Sequence, residues 1–295
     1  MATITVIIVN YNSGDRLGKC LDCLRRQTFT DFDVIVIDND STDSSAKTAR
    51  EKYAEHTFID AGANLGFAAA NNRAAQQASG DWLAFLNPDA YAEPSWLEEL
   101  INASARHQDA DAFGSTQLDA SDDRRVDGAG DVMHALGVAY RGGFGWPADS
   151  LPPEGECFSP CAAAAMNRRA VFNELGGFDE RFFCYGEDVD LGFRLRLIGG
   201  RSIQAPLAVV RHEGSGVTGR HSPFSIYHGH RNRIWLSYKC FPAAYFWGLA
   251  PLRLIVDSVL AIKSIASGYG GAYLCGVWDG YRGVGKFSRD HAAIH

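Results

Sequence analysis

The sequence lacks several features that would assign it to a class of protein at once. Lys and Arg (28) are fewer than Asp and Glu (35), which gives a formal net charge of −7. A general nucleic-acid binder normally presents a basic face, so nucleic acid is not an expected partner. In the C-terminal region no uncharged stretch reaches the roughly 20 residues that a membrane-spanning helix needs. The N-terminus has neither a basic segment nor a small-residue cleavage site, and no signal peptide is expected.

Cysteine is present, but it follows no disulfide or zinc pattern. The seven cysteines are an odd number without the spacing of a small disulfide-bonded scaffold, which favours a reducing cytosol. Cys20 and Cys23 form a CxxC, yet they fall in an amphipathic helix pattern with Leu17, Leu21 and Leu24. Because no second Cys/His pair stands at zinc-finger spacing, we predict that both pack in the core.

Strand and helix signals alternate over the first hundred residues. Apolar runs at 6–9, 34–37, 57–59 and 82–86 read as strands, and a helical pattern follows each of them. Such βα units predict an α/β fold with a parallel, doubly wound sheet. In sheets of this kind ligands bind beyond the carboxyl ends of the strands.

The second half gives weaker signals. Residues 115–160 are rich in Gly, Asp and Pro, and we predict loops and short strands over the edge of the sheet. Pro206 interrupts the last predicted strand, which indicates an edge strand or a bulge. Ordered elements are expected as a strand at 162–166, helices at 168–175 and 187–198, and a strand at 203–210.

Each predicted strand of the first half ends in a loop of amide and carboxylate side chains. The loops are Asn10-Tyr11-Asn12-Ser13, Asp38-Asn39-Asp40-Ser41-Thr42-Asp43, Asn64-Leu65-Gly66-Phe67 and Asn87-Pro88-Asp89-Ala90. Such side chains suit a ligand with many hydroxyl and imide groups. No G-x-G-x-x-G follows the first strand, so the usual dinucleotide site is not expected. One loop of this kind is often only a turn or a helix cap, but four at one sheet edge indicate a binding site.

These loops resemble those of a known family. Together with Val9 and two later motifs, Gly176-Gly177-Phe178-Asp179-Glu180 and Gly186-Glu187-Asp188-Val189-Asp190-Leu191, they resemble family 2 glycosyltransferases of the GT-A fold. The likeness is closest to the bacterial rhamnosyltransferase-like branch, which builds cell-surface polysaccharides. It spans about residues 3–240 in the family's order.

The resemblance implies a domain organisation and a nucleotide-sugar site. A GT-A domain with a mostly parallel sheet is expected at 1–240, divided into a nucleotide-sugar-binding half, 1–110, and an acceptor-binding and catalytic half, 111–240. An amphipathic helical tail follows at 241–295. The implied nucleotide-sugar-binding residues are Val9, Asn10, Tyr11, Asn12, Asp38, Asn64, Gly66, Asn87 and Asp89, with Asp38 at the base or ribose.

The resemblance also implies a divalent metal ion. Asn87-Pro88-Asp89 occupies the position of the family's DxD motif, whose carboxylate binds a cation that bridges the two phosphates. An amide replaces the first carboxylate, so Asp89 remains with less negative charge beside it. We still expect Mg²⁺ or Mn²⁺. His212, after the last predicted strand, matches a second metal ligand of the family, although a lone His is more often a packed or surface residue.

The remaining implied roles concern the acceptor. Taken alone, Glu187 and Asp188 read as helix-start residues. The resemblance makes Asp188 the general base that takes the proton of the acceptor hydroxyl in an inverting transfer, with Glu187 in support. It places Asp179 in contact with the acceptor, while a turn role is the alternative for this residue.

The expected function is that of an inverting, metal-assisted hexosyltransferase. The branch suggests dTDP-rhamnose as donor, with UDP- and GDP-linked sugars as alternatives, and a glycan or polyprenyl-linked acceptor. Two other functions stay open. Asn87 supports a catalytically inactive nucleotide-sugar-binding subunit of a polysaccharide assembly complex, whereas Asp89 and the Glu187-Asp188 pair speak against it. A sugar nucleotidyltransferase is disfavoured because the first loop lacks a Gly-rich basic sequence.

The C-terminal segment is rich in aromatic and aliphatic clusters separated by Arg and Lys. It fits interfacial helices with Arg253 and Lys263 reaching to the surface, or else a cover for the catalytic core or a dimer contact. If these helices are interfacial, we expect a peripheral protein in the cytoplasm, at the inner face of the cell membrane. A basic stretch precedes the tail and could cover the leaving diphosphate, form a solvated helix face or meet anionic lipid; it comprises His221, His228, His230, Arg231 and Arg233.

Overall fold

A computed structural model describes residues 2–214 and 222–294. Its strands are β1 (Ile4–Asn10), β2 (Phe32–Asp38), β3 (Thr57–Asp60), β4 (Trp82–Leu86), β5 (Ala90–Ala92), β6 (Ala112–Asp119), β7 (Asp122–Ala129), β8 (Asp131–His134), β9 (Val138–Arg141), β10 (Gly155–Glu156), β11 (Ala164–Arg168) and β12 (Ser202–His212). Its α-helices are α1 (Arg16–Leu24), α2 (Ser45–Lys52), α3 (Gly66–Ala75), α4 (Trp96–Arg106), α5 (Arg169–Glu174), α6 (Glu187–Leu197), α7 (Pro223–Cys240), α8 (Ala243–Gly248), α9 (Ala250–Ala266), α10 (Gly270–Gly283) and α11 (Ser288–Ile294).

One large sheet organises the fold. Its strands follow the order β10-β12-β6-β11-β4-β1-β2-β3, while β5 pairs with β12 and β7 with β6. Strands β4, β1, β2 and β3 are parallel to one another, and β6 is parallel to β12. Strand β11 runs antiparallel between β4 and β6. The predicted α/β class is confirmed, and the antiparallel pairs are concentrated in the second half of the chain.

Both faces of the sheet are buried because the side chains of β1 alternate between two cores. Val6 belongs to the core that contains Trp96 of α4, whereas Ile7 packs with Phe85 on the other face. A strand covered on both faces needs apolar residues at successive positions, which explains its continuous apolar run. The two CxxC cysteines are buried in the first core, as predicted.

The segment predicted as loops and short strands contains a longer hairpin. Strands β6 and β7 have 8 residues each and pair antiparallel, while β8 and β9 form a separate two-stranded sheet. In β7 residues 123–125 are exposed and 126–128 are buried. This pattern shows neither the alternation nor the apolar run of an ordinary strand, so the sequence gives a weak strand signal there.

The interruption at Pro206 is a bulge inside the sheet. Strand β12 pairs with β6 on one side, and its register shifts between Ala205 and Val209; β10 and β5 pair with β12 as well. The carbonyl of Pro206 accepts a hydrogen bond from Oγ1 of Thr116 at 3.0 Å. The strand therefore continues past the proline and ends at His212.

The C-terminal helices pack onto the preceding helix α7. A Cβ added to Gly276 or Gly280 of α10 would lie 2.5 Å from the carbonyl oxygen of Tyr227 or 2.7 Å from Cδ1 of Ile234. Small residues thus allow the two helices to approach closely. Residue 240, where we placed the end of the GT-A domain, is the end of α7, and the segment beyond it covers this helix.

Helix α9 carries an exposed apolar face. Within the described ranges, every helix falls short of the length and hydrophobicity required to cross a membrane. Arg253, which we expected to reach the surface, is only 4% exposed, and its guanidinium lies 4.0 Å from the ring centroid of Phe246. It belongs to the inward face of α9, whereas Lys263 is exposed. The exposed face includes Leu252, Ile255, Val259 and Ile262.

Candidate active site

The carboxyl ends of β1, β2 and β4 border a cavity of about 850 Å³. The β8–β9 hairpin, the start of α6 and part of α7 complete its walls. The loops that follow the strands therefore converge on one space. The residues implied for the donor, the metal and the base that line it are Val9, Tyr11, Asn64, Gly66, Asn87, Asp89, Glu187, Asp188 and His212. His230 and Arg233 of the basic stretch line it as well.

Three other residues of the implied nucleotide-sugar site, Asn10, Asn12 and Asp38, join the loops that surround the cavity. Asn10 is fully buried, and its Nδ2 donates to Oδ1 of Asp38 at 2.8 Å. Oδ1 of Asn12 accepts from a backbone N–H of the second loop at 2.7 Å. Asn39 lines the cavity and donates to Oδ1 of Asn64 at 3.0 Å. Asp38, its neighbour in the chain, is partly accessible, and its place at the base or ribose stays a prediction.

Strand pairing brings a histidine to the DxD position. Strands β12 and β5 set His212 opposite Ala90, beside Asp89, and both functional side chains are buried. Nε2 of His212 lies 3.4 Å from Oδ1 of Asp89. Its Nδ1 lies 2.8 Å from Oδ2 of Asp127, a buried residue of β7. Asp127 also forms an ion pair with Arg141 of β9.

The donor set at this point fits a divalent cation. Burial opposes a charge on His212, but the interactions with the Asp127 and Asp89 carboxylates outweigh it and raise the pKa of His212. A positive charge, proton or metal, is therefore favoured between Nε2 and Asp89. Across the part of the chain that is described, Nε2 has no hydrogen-bond partner. With Nδ1 bonded to a carboxylate, Nε2 is the nitrogen that can coordinate a metal.

Three acidic side chains meet elsewhere in the cavity lining. Glu187 and Asp188 begin α6, and Asp131 comes from β8; ligand atoms of Asp131, Asp188 and Cys161 lie within 4.8 Å of one another. Asp188 is partly accessible and accepts a hydrogen bond from the N–H of Ala162 at 3.0 Å, whereas Glu187 is buried. Burial raises the pKa of all three carboxyls. An accessible carboxylate with a raised pKa suits a proton acceptor.

The chain matches the model of a known protein family, described as Glycosyl transferase family 2, over residues 5–176. That match covers more than half of the 295 residues. This chain belongs to glycosyl transferase family 2. The resemblance stated from the sequence is confirmed, and the cavity is the candidate active site of a glycosyltransferase.

Individual relatives agree with this membership. An N-acetylglucosaminyl-diphospho-decaprenol L-rhamnosyltransferase of Mycobacterium tuberculosis is 31% identical over 291 residues, which cover 88% of this chain and 91% of that protein. An O-antigen biosynthesis protein of Myxococcus xanthus, RfbC, is 32% identical over 257 residues, which cover 81% of this chain and 19% of that protein. The chain is thus rhamnosyltransferase-like in sequence.

Solved structures share the fold. S. aureus TarS 1–349 in complex with UDP superimposes with a TM-score of 0.56 at 20% identity, over 88% of this chain and 70% of that one. GalNAc-T7 with UDP, GalNAc and Mn²⁺ gives a TM-score of 0.65 at 15% identity, over 88% of this chain and 54% of that one. At these identities the likeness concerns the fold alone.

Asp179 lies apart from the cavity of this glycosyltransferase. It caps the short 3₁₀-helix Glu180–Phe182 and pairs with Arg181 at 2.5 Å and with Lys239 at 2.8 Å. Lys239 also bonds Asp190 at 2.7 Å. Burial opposes the charge on Asp179, but the two cations outweigh it and lower its pKa to about 2. In this structure Asp179 is held by two ion pairs, and its expected contact with the acceptor stays a prediction.

The basic stretch on α7 is engaged mainly within the protein. Arg233 forms an ion pair with an aspartate of α9, and Arg231 donates to a backbone carbonyl at 2.9 Å. Burial lowers the pKa of His228 and His230 to about 4, so both are neutral near pH 7. His221 lies outside the described residues. These contacts anchor α7 to the body of the protein.

Sequence reasoning missed Asp127, Asp131 and Arg141. Burial opposes the charge on Arg141, but the negative groups around it, Asp127, Asp131 and Asp188 among them, outweigh this and raise its pKa. The charge of Arg141 therefore interacts both with Asp127, the partner of His212, and with the acidic cluster of Asp131 and Asp188. Nothing in the spacing of residues 115–160 distinguishes these three from the other charged residues there.

Proposed function

We propose that this family 2 enzyme is an inverting rhamnosyltransferase that uses dTDP-rhamnose as donor. The acceptor is a hydroxyl of a polyprenyl-linked glycan in bacterial surface polysaccharide synthesis. The similarity to the Mycobacterium tuberculosis rhamnosyltransferase over 88% of this chain supports both assignments. The observation that carries the proposal is a single cavity that Asp89, His212 and Asp188 all line.

The donor nucleotide binds at the carboxyl edge of the parallel strands. Val9, Tyr11, Asn39, Asn64 and Gly66 line the cavity there. Amide side chains and backbone groups can each satisfy one polar edge of a base or one hydroxyl of a ribose. The hydrogen bond from Asn10 to Asp38 joins the loops after β1 and β2, and Asp38, which is partly accessible, binds the base or ribose.

Asp89 and His212 would hold Mg²⁺ or Mn²⁺ against the diphosphate. A bound divalent cation offsets the negative charge that develops on the leaving nucleoside diphosphate. Asn87 offers a neutral oxygen but no charge, so the site depends on Asp89 for its negative charge. Asp127 orients the His212 ring through Nδ1.

Asp188 is the proposed general base. As the acceptor hydroxyl oxygen attacks the anomeric carbon, its proton passes to the Asp188 carboxylate. The bond between the anomeric carbon and the diphosphate oxygen breaks, and the nucleoside diphosphate leaves with that electron pair. A single displacement of this kind inverts the configuration. Glu187 is buried beside Asp188, and burial raises its pKa, which favours the neutral form and a supporting role.

We further propose that the enzyme works at the inner surface of the cell membrane, where a polyprenyl-linked acceptor resides. The apolar face of α9 is exposed, and so are Leu274 and Trp278 on α10. Helices with an apolar face of this kind bind in the plane of a bilayer surface. The basic residues Lys263 and Arg282 are exposed on the same two helices.

Release of nucleoside diphosphate tests the proposed reaction. Purified protein is incubated with dTDP-rhamnose or with UDP- and GDP-linked sugars, with Mn²⁺ or Mg²⁺, and with a polyprenyl diphosphate-linked N-acetylglucosamine acceptor. We expect release that needs dTDP-rhamnose, metal and acceptor together. Release from another donor alone would replace the sugar assignment. Thermal stabilisation by a nucleotide without any release would favour an inactive nucleotide-sugar-binding subunit.

A further inference from the structure

The segment that leads into Glu187 and Asp188 has an unusual backbone. Phe183 and Tyr185 have positive φ values of 67° and 74°, and Gly186 has a φ of 87°. A positive φ is unfavourable for bulky residues and persists only where the surrounding structure fixes it. The same segment lines the cavity and runs directly into α6, which begins at Glu187. Its conformation therefore determines where the first turn of α6 lies.

One buried amide on α7 holds this segment. Asn232 is 1% exposed, and its Nδ2 donates to the carbonyls of Phe182, Cys184 and Tyr185 at 2.9, 2.9 and 2.7 Å. An amide nitrogen has two hydrogens, so three carbonyls converge on them. Oδ1 of Asn232 accepts from Nε of Arg231 at 2.9 Å, which fixes the orientation of the amide.

Helix α3 holds the segment from another direction. The carbonyl of Phe183 accepts a hydrogen bond from the N–H of Ala68 at 3.2 Å. Gly66 lies so close that a Cβ there would be 2.6 Å from the same carbonyl oxygen. The strained segment is therefore held from two sides. Gly66 and Ala68 at the start of α3 contact one side, and the buried amide of Asn232 on α7 contacts the other.

We propose that Asn232 is a positioning residue for catalysis: it holds residues 182–186 in the strained conformation that presents Glu187 and Asp188 to the cavity. The proposal rests on the proposed function, since it takes Asp188 as the base. Removal of the amide takes one hydrogen bond from each of three carbonyls, of which that of Phe182 keeps Nη2 of Arg231 as a donor. Phe183 and Tyr185 can then relax to negative φ, which moves the start of α6 and admits water to both carboxyls.

The test compares Asn232→Ala with Asn71→Ala, a matched control. Asn71 is also 1% exposed, and its Nδ2 donates to a single carbonyl, that of Phe67, at 2.9 Å. We expect Asn232→Ala to lower kcat roughly 100-fold, as a small misplacement of a catalytic group does, while the Kd for dTDP stays unchanged. Asn71→Ala should retain the wild-type kcat.

A pH profile separates positioning from a loss of stability. Burial raises the pKa of Glu187 and Asp188, and entry of water should lower both. The acid limb of kcat is therefore expected to move to lower pH in Asn232→Ala, which a merely less stable protein would not show. The titratable and charged groups around these carboxyls are Asp131, Arg141, Cys161, Cys184 and Asp190.

Wild-type kcat and an unshifted pH profile in folded Asn232→Ala would overturn the proposal. If that variant does not fold, Asn232→Ser, which keeps one hydroxyl donor, is measured with the same two readouts and the same criterion. Asp188→Asn is measured in parallel. Activity retained by Asp188→Asn would remove the assigned base, whereas activity lost in Asp188→Asn and kept in Asn232→Ala would remove the role of Asn232 alone.

Discussion

Replacement of Asp127 with Asn should weaken metal binding although Asp127 is not a proposed metal ligand. The Asp127 carboxylate lies 2.8 Å from Nδ1 of His212, and as an acceptor it keeps the ring proton on Nδ1. An Asn side chain can donate from its amide instead. The ring proton can then move to Nε2, where it blocks coordination beside Asp89.

The expected loss of metal affinity follows from the role of residues that hydrogen-bond a metal ligand without touching the metal. Their removal typically lowers metal affinity 10–100-fold, or about 1.4–2.7 kcal/mol of binding free energy. Arg141 also loses its ion pair with Asp127. Because Asp131 and Asp188 still favour its charge, we expect the free energy of unfolding to fall by only about 1–3 kcal/mol.

The assay is a titration of transfer activity with Mn²⁺. The half-saturating Mn²⁺ concentration should rise at least about tenfold in Asp127→Asn, while kcat at saturating metal stays close to that of the wild type. Asp123→Asn is the matched control, since Asp123 lies on the same strand and is exposed. An unchanged half-saturating concentration in folded Asp127→Asn would refute the reasoning.

Three other changes test separate parts of the structure. Asp131→Asn should move the acid limb of kcat to lower pH, because the Asp188 charge raises the pKa of Asp131 and, by the reciprocity of two coupled carboxyls, a charge on Asp131 opposes ionisation of Asp188; a profile identical to that of the wild type would contradict this coupling. Lys239→Met should lower the free energy of unfolding in urea by about 1.5–3 kcal/mol, since it removes two buried charged hydrogen bonds while each carboxylate keeps an arginine; an unchanged midpoint would show that the pairs contribute nothing. Val259→Asp combined with Ile262→Asp should reduce sedimentation with anionic vesicles, because it places two charges on the apolar face of α9. The Tm should stay unchanged, since the two side chains are 60% and 68% exposed. Unchanged sedimentation together with loss of a dimer would assign this face to a second copy of the chain.

Much of the first half could be predicted because its signals are local. Buried apolar runs mark β1 and β4, and polar residues such as Tyr11 and Asn87 follow them at the edge of the sheet. Which side chain of a polar loop faces the cavity is not a local property. Asn10 is fully buried and donates to the partly accessible Asp38, while Asn39 lines the cavity. A shift of one residue at a strand end reverses the side on which a side chain lies.

The rest depends on pairing between distant segments. Asp127 gains its role from His212, 85 residues further along the chain, through strands whose sequence pattern is weak. Asp179 likewise pairs with Lys239, 60 residues away, and the motif around Asp179 does not indicate this partner. Local periodicity contains no information about such partners, so neither arrangement could be predicted.

The most direct test of the proposed chemistry is the rate of sugar transfer by Asp188→Asn, measured with saturating donor, acceptor and metal. Asn has nearly the same shape and can still accept the hydrogen bond from Ala162, but it cannot take a proton. We predict that kcat falls roughly 100-fold or more, while the Kd for dTDP remains that of the wild type. Transfer at the wild-type rate by folded Asp188→Asn would contradict the assignment of the base.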